Sequence, residues 1–277
     1  MICSPNLQPK RVDTVEFHAR AVQRVISRIR QGLDEGITLR EMAAVAHMSP
    51  YHFIRTFRQV TGVPPRRFLS ALRVEAATRM LLETDNSVTA ICLDVGYSSL
   101  GTFIRRFSDV LGVSPSKLRV SRKSPVKDLL TRPGNSIPTM VGIASQGIRG
   151  RIQAPASFAG AIFVGLFSTP IPEGKPVACV ISFLAGDYFL TPVRQGRYYL
   201  FALGIPWPNT VGDYFRHESA LRGGGQLITV GTDILDCEEI SLRPALSTDP
   251  PILMNLPTLL KKVPIQQTSQ DSLAVGA

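Results

Sequence analysis

Apolar positions fall into two textures along this chain. Up to about residue 122 they recur at three- and four-residue spacing; from about 146 they gather in short runs broken by Gly and Pro. The first texture predicts helices and the second predicts strands. In the first part, TVEFHARAVQRVISRIRQ (14–31) reads as an opening helix. Thr38 is an N-cap for LREMAAVA, with Glu41 at the capping-box position and Leu39, Met42, Ala43 and Ala46 on one face. His47-Met48 makes a turn. Ser49 then caps a second helix that has Pro50 at its first position, buries Phe53, Phe57 and Val60, and stops at Gly62.

This arrangement recurs. FIRTFRQVTGVPPRRF (53–68) matches FIRRFSDVLGVSPSKL (103–118) at an offset of 50, with eight of sixteen positions identical. The same register sets 38–52 over 88–102, so that Ser87 caps VTAICLDV, Gly96 opens the turn, and Ser98 or Ser99 caps a helix ending at Gly112. Each repeat is a helix, a tight turn and a second helix. Between them PRRFLSALRVEAATRMLLE (65–83) carries Phe68, Leu69, Leu72, Ala76, Met80 and Leu81 at helical spacing. A helix of that length is ~28 Å long, enough to hold two reading helices about one DNA turn, ~34 Å, apart. The fold class expected is therefore multidomain α and β. A tail (1–13) precedes an all-α tandem helix-turn-helix domain (14–122), a linker (123–145), an antiparallel β-sandwich (146–262) and a disordered tail (263–277). The strand candidates are 146–153, 158–167, 176–184, 187–193, 196–205, 225–230 and 239–243.

Charge sharpens the division. Residues 1–135 carry 21 Lys+Arg against 11 Asp+Glu, whereas residues 136–277 carry 10 of each, so the whole excess of +10 lies in the helical half. A basic module joined to a neutral one fits a polyanion binder with a separate partner domain. No apolar run approaches the ~20 residues of a membrane span, and the longest, FAGAIFVGLF (158–167), reads as a buried strand. The N-terminus lacks a secretory apolar segment, so a cytoplasmic location is expected. Cys3, Cys92, Cys179 and Cys237 are too scattered for zinc or a disulfide framework, and free thiols are expected.

MSPYHFIRTFRQVTGVPPRRF, RVEAATRMLLET and VGYSSLGTFIRRFSDVLGVSPSKLR closely resemble the DNA-binding domain of the AraC/XylS family of transcription regulators, over residues 14–122. The resemblance implies that each second helix enters a major groove of double-stranded DNA. Base-edge contacts then come from Tyr51, Ile54 and Arg55 in the first unit and Gly101, Thr102 and Arg105 in the second. The arginines follow core phenylalanines by two residues and should face outward, where arginine makes the bidentate guanine contact. Ile54 offers only apolar contact and Gly101 none, which shifts weight to phosphate contacts and DNA shape. Ser49, His52, Arg58, Arg66, Arg67, Ser99, Arg106, Lys117 and Arg119 are the phosphate candidates, a solvated basic face being the alternative for the arginines and lysine.

The stretch GRIQ…AIFVGLF…GDYFLTPVRQGRYYLFA is similar to transthyretin-like and carboxypeptidase-regulatory-type sandwich domains, from which the insertion IPWPNTVGDYF (205–215) departs. Gly223-Gly224-Gly225 lacks the Lys-Ser/Thr of a phosphate loop, and there is no catalytic or metal motif. Tyr188, Tyr198, Tyr199 and Trp207, with Phe201, are candidates to line a ligand pocket. With no catalytic constellation in view, an enzyme ranks third among the readings, and no cofactor is called for. The sequence features point to a sequence-specific regulator with an effector or association domain; its candidate partners are DNA, RNA polymerase, a small-molecule effector and a second copy of the chain. The competing reading is a carbohydrate- or protein-binding sandwich anchored by a non-specific DNA-binding domain.

Overall fold

A computed structural model describes residues 9–124, 146–216, 219–262 and 265–266. From residue 125 on, the expected linker lies outside these residues, as do His217 and all of the expected tail except 265–266. Seven helices come first: α1 (Pro9–Gln31), α2 (Leu39–Val45), α3 (Pro50–Thr61), α4 (Pro65–Glu83), α5 (Val88–Asp94), α6 (Leu100–Leu111) and α7 (Pro115–Ser121). Helix α1 starts within the expected N-terminal tail.

Local chemistry sets these helices. The Thr38 hydroxyl accepts from the Glu41 amide while the Glu41 carboxylate accepts from the Thr38 amide, closing the capping box. Ser49, Ser87, Ser99 and Ser114 cap α3, α5, α6 and α7 in the same sense. Helices α3 and α6 both stop where the chain turns left-handed, at Gly62 (φ 74°) and Gly112 (φ 65°). A Cβ at Gly62 would meet nothing within 4 Å, so only the backbone conformation resists a side chain there. Gly62→Ala is therefore expected to cost about 1–2 kcal/mol, read from the denaturant midpoint.

The repeat is not uniform. Helices α3 and α6 begin 50 residues apart, as expected, but α2 and α5 begin 49 apart. The left-handed turn residues, His47 (φ 55°) and Gly96 (φ 84°), also lie 49 apart. The second turn thus holds one extra residue, and the register drawn for 38–52 over 88–102 slips by one upstream of the turn. Gly96 is required for a further reason: a Cβ there would sit 2.3 Å from the Leu33 carbonyl oxygen.

The described residues from 147 to 266 form ten strands in two sheets. β1 (Gly147–Gln153), β4 (Gly186–Leu190), β7 (Ile234–Asp236) and β8 (Ile240–Ser241) make the smaller sheet, in which β1 pairs with each of the other three. The larger runs β10-β3-β2-β5-β6-β9, built from β10 (Ile265–Gln266), β3 (Ala178–Ser182), β2 (Gly160–Phe167), β5 (Gly196–Pro206), β6 (Leu221–Val230) and β9 (Arg243–Pro244). A 3₁₀ turn (Val211–Phe215) follows β5, and helix α8 (Leu256–Lys262) precedes β10.

The expected purely antiparallel pairing is corrected. β1 pairs β7 and β8 in parallel, and β10 pairs β3 in parallel, so part of the expected disordered tail is strand. Such short, distant edge segments carry no hairpin turn to announce them.

Strand β2 is buried along its whole length, as its uninterrupted apolar run predicts. Its side chains divide by face. Ile162, Val164 and Leu166 join one apolar cluster with Ile148, Tyr188 and Leu190 of the smaller sheet. Ala161, Phe163 and Phe167 join another that also holds Phe57, Phe107 and Leu118 of the helices. The larger sheet therefore packs apolar side chains toward the helices as well as toward the smaller sheet. Main-chain bonds reinforce this: Gly174 N–H donates to the Val110 carbonyl (2.7 Å), and Gly212 N–H to that of Arg122 (3.1 Å).

Candidate nucleic-acid interface

Helices α3 and α6 bury the same face and present the same face. Phe53, Phe57, Phe103 and Phe107 are fully buried, with the two rings of each pair in edge or tilted contact 5.4–5.6 Å apart. Arg55 and Arg105 follow Phe53 and Phe103 by two residues, ~200° round the helix, and point away from the core. Both are exposed, and neither has a hydrogen-bond or ion-pair partner among the described residues. Around them Tyr51, His52, Ile54, Arg58, Gly101 and Thr102 are also exposed. Tyr51 is 81% exposed, an unusual state for so large a ring on an ordered helix.

Ile104 was missed by the sequence reading, which named Thr102 in the second unit. It is the offset-50 counterpart of Ile54, and the two are equally exposed, at 37%. The repeat itself carried that signal. Each unit thus presents an apolar side chain beside an unpaired arginine.

The phosphate candidates separate into two groups. Arg58, Arg66 and Lys117 are exposed. The hydroxyls of Ser49 and Ser99 accept from the His52 and Thr102 amides, ordering the first turns of α3 and α6. The His52 ring meets that of His18 edge-on at 5.6 Å, which rests it on α1.

Three candidates have hydrogen-bond partners within the protein. Arg67 Nη2 donates to Glu173 Oε1 (2.6 Å) and Arg106 Nη2 to Glu173 Oε2 (2.8 Å). Arg119 Nη2 donates to the Asn86 carbonyl (2.5 Å), tying α7 to the loop before α5. Arg122 works beside it, donating to the Leu81 and Thr84 carbonyls and to Asp85, whose carboxyl those contacts hold below its usual range. Local sequence gives no sign of these distant acceptors.

The four aromatic pocket candidates do not converge. Tyr188 is core between the sheets, where burial pushes its hydroxyl up from its ordinary range. Tyr198 packs along the same cluster, its hydroxyl 3.5 Å from the Gln195 carbonyl. Trp207 is half exposed against Phe183 (ring centroids 5.2 Å). Tyr199 lines a cavity of about 230 Å³ between the end of α3 (Val60–Gly62) and the larger sheet, with Phe201, Arg222 and Arg243. Arg222 is largely buried there, which lowers its pKa; Nη1 donates to the Pro250 carbonyl (2.7 Å) and Nε has no partner among the described residues. The triple glycine is explained by packing rather than by phosphate. Gly224 and Gly225 have positive φ, and a Cβ at Gly223 would strike Ile240 and Ser241.

Among the described residues no His, Cys, Asp or Glu cluster could hold a metal, and no helix is long and apolar enough to cross a membrane. Cys92, Cys179 and Cys237 are free thiols, and burial pushes that of Cys179 up to about 12.

Known proteins resemble the helical part of this chain. A family model described as a helix-turn-helix domain matches residues 42–121. The Tn10 TetD protein of Escherichia coli is 31% identical over 107 residues, which cover 39% of this chain and 78% of TetD. An HTH-type transcriptional regulator of Haemophilus influenzae is 40% identical over 83 residues, or 30% of this chain and 28% of that one. The bifunctional transcriptional activator/DNA repair enzyme AdaA of Bacillus subtilis is 32% identical over 95 residues, or 34% and 45%. The chain thus spans less than half the length of the latter two. The DNA-binding domain of AdpA, solved in complex with a target DNA, is 32% identical with a TM-score of 0.35, covering 36% of this chain and 90% of that one. The family model ends at residue 121, before the sheets begin.

Proposed function

The chain belongs to the AraC family of helix-turn-helix transcription regulators, and on that premise we propose that it binds double-stranded DNA sequence-specifically, α3 and α6 reading two adjacent major-groove segments on one face. The observation that carries this reading is the matched pair Arg55 and Arg105: outward-facing, without partners among the described residues, at equivalent positions of a repeat whose other arginines are in part tied down. Free guanidiniums beside an exposed isoleucine suit a guanine edge next to a thymine methyl. Helix α4, 19 residues long, supplies a spacer of ~28 Å.

The β-region is assigned to effector sensing or self-association. The cavity favours sensing, because the last turn of α3 forms part of its wall and a bound molecule there would bear on a reading helix. RNA polymerase and a second copy of the chain remain partners of this reading, and catalysis is no part of it.

Selection of bound duplexes from a random library tests the proposal. Two short conserved blocks centred about 10 base pairs apart are expected. Recovery of unrelated sequences, bound only in a salt-sensitive way, would refute specific reading.

A further inference from the structure

The two reading units are joined by more than α4. Glu173 lies between β2 and β3, in a segment held from both sides. Its own amide donates to the Ile171 carbonyl, the Gly174 amide to the Leu253 and Val110 carbonyls, and the Leu253 amide to that of Pro172. Ile171, Ile252 and Leu253 anchor the segment in the apolar cluster shared with the helices. The Glu173 side chain is only 9% exposed, and each carboxylate oxygen takes one guanidinium. Arg67 stands at the start of α4, just after the first unit; Arg106 stands in the middle of α6, in the second. One fixed carboxylate therefore ties the second unit, and the start of α4 directly after the first, to the same point of the β-region.

The repeat departs from its own symmetry at these places. Fifty residues before Arg106 stands Thr56, buried and with its hydroxyl unpartnered among the described residues; fifty after Arg67 stands Lys117, exposed. The outward arginines are duplicated, whereas the tethered ones are each used once. The tether also leaves the reading faces open, since Arg55 and Arg105 remain exposed. A nearly buried, charge-assisted bridge with defined geometry is suited to fixing register more than to adding net stability.

We infer that Glu173 is a positioning residue that sets the relative placement of α3 and α6, and so selects the spacing between the two DNA segments bound. The inference rests on the two-segment reading proposed above. One base pair of added spacing moves a half-site by ~3.4 Å along the duplex and about 34° around it, a mismatch that a rigidly tethered pair of helices cannot follow.

The test uses the full chain and the duplex that it selects from a random library, rebuilt with one base pair inserted or deleted between the two blocks. The wild-type protein is expected to bind the altered spacings at least about tenfold more weakly, a loss of the size of one base contact. Glu173→Gln should narrow that difference to within about threefold and leave the affinity for an isolated half-site unchanged. Arg106→Gln, which removes one end of the bridge, should flatten the spacing preference in the same way. Both freed arginine side chains are about a third exposed, so water can take them up, and thermal unfolding checks that the variant folds. If Glu173→Gln keeps the full spacing preference, the inference is wrong. It is equally wrong if affinity rises at every spacing with a steeper salt dependence, since Glu173 would then be withholding arginines from phosphate. If selection yields no site at all, the sequence-specific reading fails instead, a result that no Glu173 variant can produce.

Discussion

Replacing Arg55 and Arg105 together by alanine is expected to abolish most sequence discrimination while the fold is retained. Each guanidinium paired with a guanine contributes ~1–3 kcal/mol of specificity. The two lie on different helices and share no partner among the described residues, so their losses should add. The sum, about 2–6 kcal/mol, overlaps the range of about 4–10 kcal/mol that separates specific from non-specific binding in such proteins. Both side chains are exposed and have no partner among the described residues, so their removal opens no cavity and strands no buried charge. The unfolding midpoint should therefore stay where it is. Titration of the selected duplex against a scrambled one measures the effect. Equal loss on both duplexes would mean that these arginines serve phosphate, not base edges.

Phe57→Ala is the corresponding expectation for stability. Its ring is fully buried and makes edge contacts with Phe53 and Phe68, each at 5.4 Å, so it joins α3 to α4. Deleting such a ring costs about 3–5 kcal/mol through lost apolar burial and the cavity left behind. Against a total of ~5–15 kcal/mol for a typical protein, that share decides whether the helices hold together. Urea unfolding should show a lower midpoint with little change in slope, and Phe57→Leu, which keeps most of the volume, should cost under about 1.5 kcal/mol. A small loss for the alanine variant would mean that α3 is held by something other than this aromatic cluster.

Much of the helical half was legible because its signals are local. Caps such as Thr38 with Glu41, stops such as Gly62 and Gly112, and phenylalanines at helical spacing each act within a few residues. The fifty-residue offset then set Arg55 and Arg105 at equivalent, exposed positions of α3 and α6. It would also have placed Ile104, had the repeat been followed strictly. The extra residue in the second turn was hidden because an offset of 50 and one of 49 differ by a single place in a segment of low identity.

The β-region was legible as strands but not as pairings. The parallel contacts of β1 with β7 and of β10 with β3 join segments far apart in sequence and depend on what lies between them. Glu173 escaped notice for a related reason. A lone glutamate in a Pro- and Gly-rich stretch looks like surface, and nothing nearby signals that arginines 106 and 67 residues away will close on it. The same distance in sequence hid the bonds of Arg67 and Arg106 to it. Sequence alone likewise gathered into one pocket aromatic residues that the sheets distribute between core, edge and cavity.

Guanine-methylation interference on the selected duplex tests the duplicated reading most directly, because it probes the N7 acceptor that an arginine contacts. Two clusters of interference about one helical turn apart are expected with the wild-type chain, one vanishing in Arg55→Ala and the other in Arg105→Ala. A single cluster, or two that survive both substitutions, would contradict it.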